Sequence, residues 1–321
     1  MDKLDLKTFW LKLRSGEFLA ILEFLIRIKF FDYLTEPKTI IEIAEKFGFK
    51  EKKVEAIINY LGSLGFLSIA GKRVSLTKFS LDHLVSSSKS YLGIYVLWRI
   101  KSLDNWRSNL ENVLNGSMAT VHGAVQYTDF ADSEMSALEG ITLGCGLIHP
   151  SKELADSFND LVGTLLDVGC GTGVWGYLLA QNNNELNVIS LDINPNIAKT
   201  FLNNNYNEIS PRVKILQKDM FSEVLPIADT VLFANVLVDW EDEKAEALIR
   251  KAIIETKCKK IIICEFVTDD DAITAGYDLM VNFETRGNVR DVEWWERILK
   301  DYFTEVSFKK LSFGSYIISC T

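Results

Sequence analysis

Apolar residues recur at helical spacing over residues 17–34, and Pro37 interrupts the pattern. Thr39 stands where it can cap a helix running to Phe47, and Gly48 is placed to stop it. A third helical pattern runs from Glu51 to Leu64 and meets Gly65. Two short β-prone runs, 66–69 and 73–77, flank Gly71 and predict a hairpin. Three helices followed by a hairpin predict a winged helix. Residues 91–114 predict a helix rich in Trp and Arg, and residues 129–147 another, ending near Gly144 and Gly146. From residue 164 strand and helix alternate, with strands expected near 164–169, 187–192, 213–219, 228–236 and 259–267. Pro195 opens the second intervening helix. Alternation of this kind predicts an α/β domain with a parallel sheet and right-handed crossovers. The runs 306–311 and 316–320 flank Ser-Phe-Gly-Ser and predict a closing antiparallel hairpin. The expected organisation is a winged helix over 1–85, a helical segment over 86–155 and the α/β domain over 156–321.

Composition narrows the partners. The 321 residues leave room for two domains of about 100–200 residues each. Hydrophobic residues make up 48%, enough for substantial cores, and 35 basic against 44 acidic side chains leave a net charge of −9. That balance argues against nucleic acid as a partner. The winged-helix reader, residues 51–64, offers Lys52 and Lys53 against Glu51 and Glu55, a poor phosphate-binding face. The longest apolar stretch, Phe18 to Phe31, is broken by Glu23, Arg27 and Lys29 and is too short to span a bilayer. The first residues carry no signal-peptide pattern. Five cysteines without a C-x-x-C pair read as reduced thiols of a cytoplasmic protein.

The chemistry concentrates at 164–173, Thr-Leu-Leu-Asp-Val-Gly-Cys-Gly-Thr-Gly. A strand runs into Gly169, Gly171 and Gly173, and a helical pattern follows from Trp175 to Gln181. Such a turn lets backbone approach a ligand at a helix N-terminus. A second strand pattern ends in Asp192, about 20 residues on, where an acid can hold ribose hydroxyls or cap a helix. Gly171, Gly173 and Gly176 fit the spacing of a dinucleotide loop, but Asp167 precedes the first glycine. An acid there repels pyrophosphate and suits a cationic ligand.

The string Leu-Asp-Val-Gly-Cys-Gly-Thr-Gly resembles the first motif of class I S-adenosylmethionine-dependent methyltransferases. Residues 34–49 and 61–67 resemble the N-terminal dimerisation domain of the small-molecule O-methyltransferases, the plant phenylpropanoid and bacterial natural-product type. The resemblance implies a Rossmann-like domain preceded by a winged helix, S-adenosylmethionine as cofactor, a homodimer and a small-molecule substrate. It assigns Asp167, Gly169, Gly171 and Gly173 to the methionine side of the donor and Asp192 to both ribose hydroxyls. Asp219 and Met220, in Gln-Lys-Asp-Met-Phe, match the family's adenine contacts, although Met220 also suits ordinary core packing. Trp240 fits either a stack near the adenine or packing under the next helix. The helices of 91–147, with Tyr277, Met280 and Phe283, are expected to wall an apolar substrate pocket.

One stretch departs from the family. Residues 235–240 read Asn-Val-Leu-Val-Asp-Trp, where plant-type relatives have histidine before the acid as general base. The matching residue here is Val238, followed by Asp239. Of the two acids that orient that histidine, one matches Glu265. The other falls on Val289 in Gly-Asn-Val-Arg-Asp. Two polar catalytic positions are thus valines. General-base catalysis typically contributes ~10²–10⁴-fold, so its loss favours a thiol, an amine, an acidic carbon or an already ionised oxygen as acceptor. His83 lies near the domain boundary; His122 and His149 fall in the segment expected to wall the pocket and are replacement-base candidates. No His, Cys, Asp and Glu cluster has zinc-like spacing, so no metal is expected. The readings left open are a methyltransferase without the usual histidine, a donor-binding relative with another chemistry, and a non-enzymatic winged-helix regulator.

Overall fold

The computed structural model describes residues 5–117, 134–206 and 209–321. The chain divides into two compact units, residues 1–104 and 105–321.

In the first unit, α1 (Leu6–Leu13) precedes α2 (Ser15–Arg27), α3 (Phe30–Tyr33), β1 (Lys38–Thr39), α4 (Ile40–Phe47), α5 (Glu51–Ser63), β2 (Leu67–Ala70), β3 (Arg73–Leu76) and α6 (Lys78–His83). The helix expected over 17–34 is two helices, because Lys29 takes a left-handed backbone (φ 56°) between α2 and α3. This break turns Phe30 and Phe31 into the core beside Leu25, Ile43 and Ile58. Around α4 the expected signals act as read. The Thr39 hydroxyl accepts from the Glu42 N–H at 3.2 Å, the Glu42 carboxylate accepts from the Thr39 N–H at 2.6 Å, and Gly48 closes the helix at φ 69°. In α5, Val54, Ile58 and Leu61 fall on one buried stripe. β2 and β3 pair antiparallel, with β1 on the far side of β3. This is the winged-helix arrangement. α1 is different: it buries nothing, and Leu6, Phe9, Trp10, Leu11 and Leu13 are all exposed.

A long helix, α7 (Gly93–Leu114), spans the boundary between the units, and α8 (Glu134–Ser157) follows. The helix expected to end near Gly144 and Gly146 instead continues through both and through Pro150 to Ser157. Glycine and proline signals yield here because α8 packs on α9 (Val174–Asn182) and α10 (Pro195–Tyr206), burying Ile148, Leu154 and Ala155.

The second unit is built on a sheet of β4 (Gly163–Val168), β5 (Leu186–Asp192), β6 (Val213–Gln217), β7 (Thr230–Ala234), β8 (Lys260–Glu265), β9 (Val306–Lys310) and β10 (Tyr316–Cys320). Its order is β6-β5-β4-β7-β8-β10-β9. The first five are parallel, while β10 runs antiparallel to both neighbours. Strand side chains sort to two faces. Leu165, Leu232, Ile262 and Ile317 join one apolar cluster with Trp175 and Phe201; Leu166, Val168, Phe233 and Ile263 join the other with Leu248 and Trp295. Burial on both faces explains the continuous apolar runs of β7 and β8. The helices α11 (Asp242–Thr256), α12 (Ala272–Glu284) and α13 (Val292–Leu299) complete the unit. Among the described residues no helix is long and apolar enough to cross a membrane.

Candidate active site

The strand order reverses at β4: the chain first builds outward through β5 and β6, then returns to add β7 on the other side. Ligands of open α/β sheets bind at such a switch point, beyond the carboxyl ends of the strands. Every sequence-derived residue of the glycine motif and its acids lies there.

The loop after β4 passes through Gly169 (φ 66°), Gly171 (φ 51°) and Gly173 (φ 68°), left-handed conformations that side chains disfavour. Three turns of this hand bring the backbone back on itself, and the Gly173 N–H donates to the Cys170 carbonyl at 2.8 Å. A Cβ on Gly169 would stand 3.1 Å from both methyls of Val236, so the loop touches the segment after β7. A Cβ on Gly171 would meet nothing within 4 Å, so the crest of the loop opens on free space. Thr172 is buried, and its Oγ1 has no hydrogen-bond partner among the described residues.

Two acids underlie the loop. Asp192 ends β5; its Oδ2 accepts from the Gly171 N–H and its Oδ1 from the Asn194 N–H, both at 2.9 Å. Asp167, fully buried, accepts from the Gly176 N–H at 3.3 Å and from the Ser190 hydroxyl at 3.5 Å. A Cβ on Gly176 would come within 2.8 Å of that carboxylate, which explains the fourth glycine. Burial pushes the Asp167 carboxyl up to about 7, and the neighbouring Asp192 adds to the shift. Burial also raises Asp192, against its backbone hydrogen bonds. Such a pair favours a positive charge placed above it.

At the end of β6, Asp219 closes its own turn. Its Oδ1 accepts from the Phe221 N–H at 2.9 Å and its Oδ2 from the Ser222 hydroxyl at 2.6 Å, and these bonds hold its carboxyl below the usual range. The Met220 sulfur stands 3.5 Å from where a Gly169 Cβ would be. The Trp240 ring packs edge-on against Phe221 at 4.6 Å, with the Lys244 ammonium 5.3 Å above it.

The sequence points to Val238, Asp239 and Glu265 at the turn after β7; the backbone conformation of Asn235 and the bonds that Glu265 makes come from the structure. Asn235 adopts φ 52° and donates its N–H to the Cys264 carbonyl at 3.0 Å, turning the chain sharply. Asparagine tolerates this backbone better than most residues. Glu265, 1% exposed, then accepts from the N–H groups of Val236 and Leu237, both at 2.9 Å, through a single oxygen. Its Oε2 is buried without a partner among the described residues. Val238 (2% exposed) and Val289 (7%) meet in one buried cluster with Phe266 and Val281, and Tyr277 and Met280 pack against it. The two positions paired by resemblance are therefore neighbours, in an apolar setting. Asp239 is half-buried in the turn. On α12, the Phe283 ring lies 5.0 Å from that of Trp106, whose Nε1–H donates to Glu284 at 3.0 Å. His149 is exposed on α8, and His122 lies outside the described residues.

Burial pushes the Glu265 carboxyl from an ordinary 4.5 up to about 7. Glu265 and Asp167 thus keep their protons in the folded chain at pH values where the unfolded chain loses them. From their ordinary values, 3.8 for Asp167 and 4.5 for Glu265, up to about pH 7 the folded state binds more protons, so stability is highest below this window and is lost as pH rises through it. We expect a higher thermal midpoint at pH 5 than at pH 7.5, and a shallower fall in Glu265→Gln. A midpoint that rises over this interval would contradict the assignment.

A family model described as an O-methyltransferase domain matches residues 133–302. The chain is similar to myricetin O-methyltransferase of Catharanthus roseus, with 27% identity over 270 residues, 76% of this chain and 74% of that protein. It is also similar to norreticuline-7-O-methyltransferase of Papaver somniferum, with 27% identity over 179 residues. That match covers 52% of this chain and 46% of the relative, so it spans about half that relative's length. Among solved structures, human N-acetylserotonin methyltransferase in complex with SAM has the same fold. It superposes with a TM-score of 0.79 at 18% identity, covering 100% of this chain and 99% of that one. A family match over more than half of the chain, on a sheet with the switch-point loop and acids in place, establishes that the chain belongs to the O-methyltransferase domain family.

Proposed function

We propose that the chain is a methyltransferase that uses S-adenosylmethionine to methylate a small aromatic or heterocyclic metabolite, without a catalytic histidine after β7. The observation that carries this reading is the cradle at the switch point: a left-handed glycine loop pinned by Asp192, over a second buried acid. The residues suit the cofactor. Free space above Gly171 admits it, the orphaned Thr172 hydroxyl offers it a polar contact, and the paired acids favour a cation. The cofactor supplies an electrophilic methyl group on a positively charged sulfur. Asp192 would hold the ribose hydroxyls with the lone pairs left after its two backbone bonds. Asp219, Met220 and Trp240 would bound the adenine.

The wall formed by Val238, Val289, Phe266 and Val281 contains no proton acceptor. Glu265 has one oxygen committed to backbone, and its other is sealed from solvent. Positioning of acceptor and methyl carbon must then carry the rate. Phenols of ordinary pKa should be poor acceptors, and thiols, amines, acidic carbons or pre-ionised oxygens better ones. Incubation with methyl-labelled cofactor and paired phenol and thiophenol probes tests this. Label on the thiol in excess of the phenol supports it; binding of cofactor with no transfer to any probe would favour a relative with another chemistry.

The exposed apolar face of α1 supports a homodimer through the first unit. Sedimentation at micromolar concentration should give about twice 36.4 kDa. A single species at the monomer mass would remove the dimer from this reading.

A further inference from the structure

The turn after β7 is held from two sides. On the sheet side Glu265 takes the N–H groups of Val236 and Leu237. On the other side lies the segment 285–291, which follows α12. Its Arg290 is 3% exposed and directs three donors at the turn and its exit. Nη1 donates to the Leu237 carbonyl at 2.9 Å, Nη2 to the Trp240 carbonyl at 2.7 Å, and Nε to Asp242 at 2.9 Å. The guanidinium also lies over the Trp294 ring, 4.4 Å from its centroid. Three residues earlier, Gly287 packs backbone to backbone on the same turn. A Cβ there would collide with the Val238 carbonyl oxygen and stand 2.6 Å from the Trp240 nitrogen and 2.7 Å from the Asp239 carbonyl carbon. Between these two anchors Val289 enters the cluster that contains Val238.

The segment is itself fixed. The Val289 N–H donates to Asp278 of α12 at 3.0 Å, the Thr268 N–H donates to the Arg290 carbonyl at 3.0 Å, and Thr285 bonds back to the Val281 carbonyl. A buried guanidinium that bridges two carbonyls three residues apart ties them at one spacing, since its donors form a rigid planar fork. The Val236 methyls would stand 3.1 Å from a Cβ on Gly169, so the turn that carries the Val238 wall lies beside the glycine loop.

We propose that Arg290 is the positioning residue of this site, and that with Gly287 it sets where the Val238 wall stands and hence which acceptors fit. The assignment of that wall to the acceptor rests on the function proposed above; the holding of the turn does not.

The test is Arg290→Lys, which keeps the charge and removes the fork. Amide hydrogen exchange at residues 236–240 should accelerate at least tenfold while β4 and β5 are unchanged. Affinity for S-adenosylhomocysteine should stay within threefold, and the KM for thiophenol should rise at least fivefold. Unchanged exchange in the turn, or exchange accelerated equally across the sheet, would overturn the proposal. Loss of S-adenosylhomocysteine affinity in step with the KM would overturn its assignment to the acceptor. A wild-type chain that does not bind S-adenosylhomocysteine would instead refute the proposed function, and the exchange result would still decide the role of Arg290 in the turn. Should Arg290→Lys not fold, Asp242→Ala removes only the Nε anchor. About threefold faster exchange at the same amides then supports the proposal, and unchanged exchange refutes it.

Discussion

An Asp192→Ala variant should bind S-adenosylhomocysteine at least tenfold more weakly than the wild type, by calorimetry. Two losses combine. The proposed ribose contact disappears, and hydrogen bonds to a charged group contribute about 1.5–3 kcal/mol each, where about 1.4 kcal/mol is a factor of ten in affinity. The glycine loop also loses its pin, because Gly171 N–H now donates to the Asp192 carboxylate. Asp192→Asn separates the two. Its amide oxygen can still accept from Gly171, so the loop is held, while the charge and one acceptor are gone. We expect an affinity between those of wild type and Asp192→Ala. A folded Asp192→Ala protein with unchanged affinity would place the ribose elsewhere.

The second large effect is expected at the turn after β7, where Val238 and Val289 share one buried cluster. Val238→His combined with Val289→Glu places a base and an acid at adjoining positions. A base that recovers even part of the ~10²–10⁴-fold available from general-base catalysis should raise methylation of a simple phenol at least tenfold. Val238→His alone should not, since nothing would orient the imidazole. Both changes cost stability, because the cluster with Phe266 and Val281 is buried. A polar group buried there without a full set of partners costs about 1–3 kcal/mol, so the thermal midpoint should fall by several degrees. Brisk methylation of an unactivated phenol by the wild type, with a pH profile showing one essential base, would refute the base-free reading. Loss of that activity on changing His122 or His149 would identify the base.

Legibility differed between the parts of this site for a physical reason. The glycine loop and Asp192 were readable because a left-handed turn and a strand-end acid each demand particular residue types at fixed spacing. Glu265 was readable as an acid at a strand end, but not as the acceptor of two backbone N–H groups, which depends on the path taken by residues 235–237. Arg290 and Gly287 stood in a string already aligned, and Gly287 was the available signal. Its φ is ordinary, however, so only the approach of a distant backbone explains why it has no side chain.

By itself the chain determined its elements and their order: the capped α4, the two-faced α5, the buried parallel strands and the closing hairpin. These follow from periodicity, caps and turns, which act over a few residues. Tertiary structure decided the rest. It carried α8 through two glycines and a proline, because packing on α9 and α10 outweighs local propensity. It split the α2–α3 segment at Lys29 to bury two phenylalanines. It also brought Val238, Glu265, Gly287 and Arg290 to one turn from three separate stretches, through contacts that no local pattern encodes.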